Sequence, residues 1–513
     1  MKNKYVIGVD MGSTSTKAVV YTEAGKVAGS AAVGYPMYSP TPDIAEEDPD
    51  VIFAAVLTTV EDALKSSGAA PEDILCVSFS SAMHSVIAVD KKGEPLTKCI
   101  TWADNRSSAW AEKISEEMDG HEIYLRTGTP IHAMSPLAKI TWLKHEKKEI
   151  FNQTYKFISI KEFVFFRLFG QYIVDYSIAS ATGLLNLKAL DWDEGALSVA
   201  GITSGQLSQP VPTTHQLIGL KPEYAKKMNL PVQTPFVIGA SDGVLSNLGV
   251  NAIEPGVVAV TVGTSGAIRT VTDKPVTDPK GRIFCYALTE DLWVIGGPVN
   301  NGGMILRWAR DQLAVSQYEE AKRTGKDPYD ALSKLASNVG PGAAGLIFHP
   351  YLAGERAPLW DANARGSFIG LGLHHKKEHL IRAVMEGVVF NLYTVLLALE
   401  ELIGQPERIH ATGGFARSEL WRQMMADIFN QELYVPESYE SSCLGAAILG
   451  MYSMGVIDSL NVVSKMVGAD YHHVPDQDNV QIYEEIIPIY ISLSRVLKDE
   501  YANIAAFQKK WVQ

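Results

Sequence analysis

Apolar residues along this chain gather in short runs that end on polar clusters, a pattern of strands handing over to turns or helices at one edge of a sheet. Tyr5-Val-Ile-Gly-Val9 runs into Asp10-Met-Gly-Ser-Thr-Ser-Thr-Lys17 and then into a second apolar run, Ala18-Val-Val-Tyr21. Some 250 residues later Val257-Val-Ala-Val-Thr261 runs into Val262-Gly-Thr-Ser-Gly266 and then into Ala267-Ile-Arg-Thr-Val271. Each copy predicts a β-hairpin whose turn of Gly, Ser and Thr brings backbone N–H groups and hydroxyls close to an anion without side-chain bulk. One such turn is equally an ordinary hairpin; two in one chain suggest two domains facing one polyphosphate.

The first half alternates strand and helix patterns. Asp48-Pro49 supplies an N-cap and a first-turn proline for a helix over Val51–Leu64 that exits at Gly68. Ile74–Phe79 predicts a buried strand ending in Ser80-Ser-Ala-Met-His84, and Val86–Val89 resumes it. Helices open at Ser135 and Ile160. A short strand at Val237–Gly239 leads into Ala240-Ser-Asp242-Gly, and Val244–Val250 reads as the helix or linker that leaves the first domain. The Pro/Gly turn Asn251–Gly256 marks a boundary and a hinge, giving domains over 1–248 and 249–513.

In the second half, Leu346–Leu352 predicts a strand and Ala353–Asp361 a loop. A long helix over His379–Ile403 stops at Gly404 with Pro406 beyond. Its Arg382, Glu386 and Asn391 mark it as a core helix instead of a membrane span. Ile409–Thr412 predicts a strand into Gly413-Gly-Phe-Ala-Arg-Ser418, followed by an amphipathic helix over Leu420–Phe429. Glu484–Trp511 reads as helix packed on the second domain.

Composition narrows the function. A chain of 513 residues with 45 basic and 58 acidic side chains, net charge −13, holds two domains and argues against a non-specific binder of nucleic acid or anionic membrane. Four scattered cysteines with no Cys-x-x-Cys spacing suggest neither a zinc site nor a disulfide framework. The apolar run before Asp10 is too short for a signal-peptide core, so a cytoplasmic protein is expected. No Gly-x4-Gly-Lys-Ser/Thr occurs and no Gly-x-Gly-x-x-Gly follows a strand, which removes the Walker and dinucleotide readings.

Phosphoryl transfer needs a neutralised polyphosphate, a carboxylate that organises a metal, and an acceptor hydroxyl whose proton has somewhere to go. Asp10, at a strand end before the first turn, suits Mg²⁺ held through water, and Lys17 suits added charge toward a phosphate; as residues alone they are also a turn former and a surface lysine. Asp242, after an apolar strand, suits a general base, or the N-cap of the next helix. Trp102-Ala-Asp104-Asn-Arg106 and His84 suit a polyhydroxylated ligand; an isolated ion pair and a core histidine are the plain alternative. Gly413-Gly414 lets backbone approach a nucleotide, or is a simple β-α turn.

These residues carry a resemblance over roughly residues 5–455. The chain is similar to the FGGY family of carbohydrate kinases, most specifically through Gly366-Ser-Phe-Ile-Gly-Leu371 followed by His379-Leu-Ile-Arg-Ala-Val-Met-Glu386, and through Met134-Ser-Pro-Leu-Ala-Lys-Ile-Thr-Trp142. The resemblance implies an α/β chain of two actin/Hsp70-like (ribonuclease H-like) ATPase domains with a cleft between them. It implies Asp10 with Gly12, Ser13, Thr14 and Lys17 as the first phosphate motif, and Gly263, Thr264 and Ser265 as the second. Gly302 and Gly303 lie against the nucleotide, and Gly413, Gly414 and Ser418 form the adenosine motif. Met83, His84, Trp102, Asp104 and Arg106 match sugar-contacting positions, Asp242 the catalytic base, and Asp10 and Asp242 the metal-holding pair.

The cofactors implied are ATP and Mg²⁺. The partners are a small sugar acid and ATP, with no nucleic acid or membrane and a homodimer as the assembly considered. Gly297–Gly303, Ala353–Trp360 and Asn363–Ser367 are most similar to family members acting on D-gluconate, so 6-phospho-D-gluconate is the expected product. A xylulose- or ribulose-type ketose is the alternative, weakened by Ala82-Met-His-Ser85 where Gln-Met-His-Gly is the commoner xylulose pattern. A non-metabolic actin/Hsp70-like ATPase, the alternative of another class, has no reason to carry the sugar-facing residues.

Overall fold

Both Gly/Ser/Thr turns form between antiparallel strands, in a computed structural model that describes residues 4–436 and 440–511. The chain divides into two units: Met1–Glu254, Val271–Ile295 and Glu440–Gly468 make the first, and Pro255–Thr270, Gly296–Tyr439 and Ala469–Gln513 the second.

In the first unit, β1 (Tyr5–Met11) and β2 (Ser15–Thr22) are longer than the apolar runs that announce them, because the hydrogen-bonded ladder continues through Asp10↔Lys17 and Met11↔Thr16. The turn narrows to Gly12–Thr14, where the Gly12 N–H donates to the Ser15 carbonyl at 3.1 Å. β3 (Val27–Gly34) extends the hairpin. α1 (Pro49–Ser67) begins as its cap predicts: Asp48 accepts from the N–H groups of Asp50 and Val51, Pro49 opens the first turn, and Gly68 at φ 67° ends it. It buries Ile52, Val56, Val60 and Leu64 against the hairpin side of the sheet, each worth about 1.5–3 kcal/mol of apolar burial.

β4 (Ile74–Ser81) lies parallel to β1, and β5 (Phe236–Ser241) parallel to β4. The sheet order is Gln216–Leu217, β5, β4, β1, β2, β3. Its register aligns Asp10, Ser80 and Ala240 in one row across three strands. α2 (Asp242–Gly249) follows β5 without a linker, so Asp242 opens a helix at the carboxyl end of the row. The returning helix Ser441–Ser453 covers the other face, where Cys443, Ala446 and Ala447 share a core with Val6, Val19, Cys76 and Val237. Helices Pro136–Glu146 and Ile160–Phe169 start where expected, the first capped by Ser135 and the second by a Ser159/Glu162 capping box.

The second unit repeats the plan. β6 (Val257–Val262) and β7 (Gly266–Thr272) form the hairpin around Gly263–Ser265. α3 (Lys377–Ile403) is long and apolar enough by composition to cross a membrane, but 78% of its apolar window is buried within the protein. It is the core helix expected, and its Arg382 and Glu386 pair at 2.6 Å beside the Tyr483 hydroxyl. β8 (Arg408–Thr412) runs parallel to β6, and β9 (Leu433–Pro436) parallel to β8.

Two expectations change in detail. The strand expected over Leu346–Leu352 covers only Ile347–His349, because Pro350 has no N–H for a ladder. The C-terminal helical stretch is two helices, Gln477–Val496 and Lys498–Trp511, which bury Tyr483, Tyr490 and Tyr501. Tyr501 shares a 2.7 Å hydrogen bond with His349 Nδ1.

The Asp48 cap gives a direct test of the local reading. Asp48→Ala is expected to lower the unfolding free energy by about 1 kcal/mol in a urea titration, whereas Asp48→Asn, which keeps an acceptor, stays within a few tenths. Equal losses for the two variants would remove the side-chain cap as the cause.

Candidate active site

Asp10 stands at the carboxyl end of β1, half-buried, and accepts a 2.7 Å hydrogen bond from the Ser80 hydroxyl of the neighbouring strand. Burial pushes its carboxyl up to about 6, and the nearby Asp242 carboxylate pushes in the same direction. Asp242 is fixed by the Gly243 N–H, which donates to its Oδ1 at 2.7 Å. Lys17, opposite Asp10 in the ladder, closes on both oxygens of Glu440 at 3.1 Å. Two carboxylates therefore converge beside the first Gly/Ser/Thr turn while the nearest lysine is engaged elsewhere. Among the described residues no group of three His, Cys, Asp or Glu side chains is arranged to hold a metal ion.

The sugar-facing candidates gather in the same unit. Trp102 Nε1 donates to Ser13 Oγ at 2.8 Å, tying the indole to the turn. His84 is buried at φ 68°, a left-handed position, and its Nδ1 lies 2.7 Å from the Ala181 carbonyl. Beneath it the fully buried Lys139 Nζ donates to the carbonyls of His84 and Met134 at 2.7 and 2.8 Å. Burial pulls that ammonium down to about 7. Asp104 is 1% exposed, so the Asp104–Arg106 pair is not an isolated surface contact. Arg106 Nε donates to both Asp104 oxygens at 3.0 Å, and Nη2 donates to Asp104 and to Glu46 Oε1. The guanidinium also lies over the Trp142 ring, 4.8 Å from its centroid.

Lys161 forms a buried ion pair with Asp175 at 2.8 Å and donates to the Ala240 carbonyl, which anchors the strand end just before Asp242. Spacing gives no sign of the Glu46, Glu440 and Asp175 partnerships. Ser80 was visible as a polar strand end, and Lys139 within the Met134–Trp142 stretch.

In the second unit the glycine candidates form one cluster. Gly263 N–H donates to the Ser265 carbonyl at 2.9 Å, closing the turn. Gly303 N–H donates to the Gly263 carbonyl at 2.7 Å and Met304 N–H to the Thr264 carbonyl at 3.0 Å, seating Gly302–Gly303 on the turn. A Cβ at Gly302 would stand 2.5 Å from the Ser265 backbone. Gly413, at φ 103°, approaches the Val262 carbonyl so closely that a side chain there would collide with it. Gly414 opens a short 3₁₀ turn with open space around its Cα. Ser418 caps the helix Glu419–Phe429 by accepting from the Trp421 N–H, and its hydroxyl lies 2.9 Å from that of Ser333. Glu355, 1% exposed and not foreseen, accepts from the Asn300 N–H and from Asn301 and Asn391 Nδ2 at 2.5, 2.8 and 2.6 Å. It fixes the loop that leads into Gly302–Gly303.

Paired hairpin units with glycine turns, one carrying carboxylates, define a kinase of actin/Hsp70-like ATPase architecture. Residues 5–249 match the FGGY family of carbohydrate kinases, N-terminal domain, and residues 258–454 its C-terminal domain; the chain belongs to this family, whose kinase activity implies the use of ATP. The gluconokinase of Bacillus subtilis (strain 168) is 60% identical over 507 residues, 98% of each chain. The crystal structure of a gluconate kinase from Lactobacillus acidophilus is 39% identical, covers 98% of this chain and 100% of that one, and superposes with a TM-score of 0.92. A ligand-bound xylulose kinase from the same organism gives 39% identity, the same coverage and a TM-score of 0.93.

The raised Asp10 carboxyl has a consequence for stability. Between pH 3.8 and about 6 the native state keeps a proton that the unfolded chain has lost, so folded stability falls as pH rises through that window. Asp10→Asn is expected to melt higher than the parent at pH 7 without nucleotide or divalent cation, with the gain shrinking toward pH 4. A variant that melts lower at pH 7 would show that Asp10 is stabilised where it stands.

Proposed function

We propose that this protein transfers the γ-phosphoryl group of ATP to the terminal hydroxyl of D-gluconate, giving 6-phospho-D-gluconate. The observation that carries the substrate is the 60% identity to a gluconokinase across 98% of both chains. The chemistry is supported by the convergence of Asp10 and Asp242 at strand ends on either side of β4, beside the first glycine turn. The compartment we propose is the cytoplasm, where the free, buried Cys76, Cys99, Cys285 and Cys443 stay reduced.

Asp242 takes the proton of the attacking hydroxyl, its carboxylate oriented by the Gly243 N–H. Met83, His84 and Trp102 line the sugar. Asp104 and Arg106 meet it as a locked pair, and because Asp104 and Glu46 together outweigh the guanidinium charge, Arg106 contributes donors more than net positive charge. Gly12, Ser13 and Thr14 are one phosphate motif and Gly263, Thr264 and Ser265 the other, and Gly302, Gly303, Gly413, Gly414 and Ser418 hold the rest of the nucleotide. Lys17 reaches a phosphate only by leaving Glu440.

Bound with ATP, Mg²⁺ would neutralise the β- and γ-phosphate charge, and Asp10 and Asp242 are the residues that would hold it. The pressure of Asp242 on the Asp10 carboxyl, with no third protein ligand among the described residues, fits an ion that keeps water and phosphate oxygens in its shell.

A ketose is the second reading, favoured by the likeness to the ligand-bound xylulose kinase at 39% identity; Ser85, where a glycine is the commoner xylulose pattern, weighs against it.

Asp242→Asn is expected to cut kcat at least about a hundredfold while leaving KM for both substrates nearly unchanged; near-parental turnover by the folded variant would take the base role from Asp242. On a panel of gluconate, xylulose, ribulose and glycerol, ADP release by the parent should rank gluconate first in kcat/KM. A ketose in first place would replace the substrate while leaving the kinase, and ADP release indifferent to every sugar would remove the kinase.

A further inference from the structure

One buried carboxyl beside Met83 and Trp102 takes no part in the phosphoryl transfer. Glu47, paired in a short strand with Cys99, is 5% exposed, and its Oε1 has no hydrogen-bond partner among the described residues. It lines a cavity of about 10 Å³ together with Ser13, Tyr35, Met83, Ser85 and Trp102. That is room for one oxygen-sized group. Most polar neighbours in the lining are already committed: Tyr35 donates to the Gly12 carbonyl at 2.6 Å, Thr101 to the Ala45 carbonyl at 2.9 Å, and Trp102 to Ser13. Ser85 accepts from the Ile160 N–H at 3.0 Å.

We propose that this cavity is a specificity subsite that receives one hydroxyl of the polyhydroxylated substrate, with Glu47 Oε1 as its hydrogen-bond partner. A buried polar atom without a partner is uncommon in a folded protein and marks a place where a hydroxyl is missing. The chemistry matches a neutral group: burial pushes the Glu47 carboxyl up to about 8, so near neutrality it carries a proton to donate and a carbonyl oxygen to accept. A charged end of the substrate gains nothing there, and a methylene in place of the hydroxyl leaves Glu47 unpaired. A water fits the same space, and the tests separate the two.

The inference rests on the sugar reading of Met83 and Trp102. Its test compares D-gluconate with its C2 to C5 monodeoxy analogues by kcat/KM in the parent, Glu47→Gln and Glu47→Leu. One analogue should fall about ten- to hundredfold below the others in the parent, the penalty of one unmade hydrogen bond to a buried group. In Glu47→Leu that gap should close to within about threefold, whereas Glu47→Gln, which still has a donor and an acceptor, keeps most of it. A gap that persists unchanged in Glu47→Leu, with turnover of gluconate intact, overturns the subsite and spares the kinase. If the parent favours another sugar, the substrate reading fails, and the same comparison is made with the deoxy analogues of that sugar. A crystal structure of the parent with its substrate bound supplies a measurement independent of variant folding: a sugar hydroxyl within hydrogen-bond distance of Glu47 supports the subsite, and a water alone in the cavity overturns it.

Discussion

The structure turns on a negative charge that the protein declines to neutralise. Asp10 sits in a row with Ser80 and Ala240, where three strand ends are held in register by backbone pairing, and among the described residues the side chain hydrogen-bonded to it is a neutral hydroxyl. The lysine facing it across the hairpin is drawn to Glu440, and the next carboxylate, Asp242, is driven close by the abrupt passage from β5 into α2. A chain selected for stability alone would place a cation at this point. Local conflict of this kind, in a sheet that is otherwise consistent, is characteristic of functional sites.

The duplicated hairpin shows how one architecture supplies two different environments. In both units a glycine turn joins two antiparallel strands and the first strand pairs in parallel with a later one. Where the first unit has Asp10 beside Ser80, the second has Thr261 beside Thr412, with hydroxyls 3.4 Å apart. After Ser80 the chain continues into Met83 and His84; after Thr412 it turns on Gly413, packed against Val262. The first position therefore presents charge and side chains, and the second presents bare backbone. Backbone suits an extended, repetitive ligand such as a nucleotide tail, and side chains suit a ligand told from its relatives by single hydroxyls.

What the sequence made legible follows from range. Asp48-Pro49, Ser135 and Gly404 act within a few residues of themselves, and the helices they bound were read from them. The hairpins were legible for the same reason, although their strands extend further because ladder pairing does not depend on side-chain polarity. The strand ended early by Pro350 and the break near Leu497 fall where apolar runs outlast the backbone geometry that the eye assigns them. Site partners were harder. Glu46 is 60 residues from Arg106 and Glu440 is 423 from Lys17, and nothing in either neighbourhood signals the other. Glu47 stands in the acidic run Glu46-Glu47-Asp48, and only the packing of its neighbours shows an orphaned oxygen.

The return of helix Ser441–Ser453 to the first unit also bears on how the chain is made. Its Cys443, Ala446 and Ala447 complete a core begun by Val6, Val19 and Cys76, so the first sheet leaves the ribosome with one face uncovered. At roughly 5–20 residues per second, the stretch between Gly249 and Ser453 occupies the ribosome for on the order of ten to forty seconds. Throughout that interval the nascent amino-terminal half carries an open apolar surface, which is covered only when Ser441–Ser453, at the start of about the last seventh of the chain, has been made.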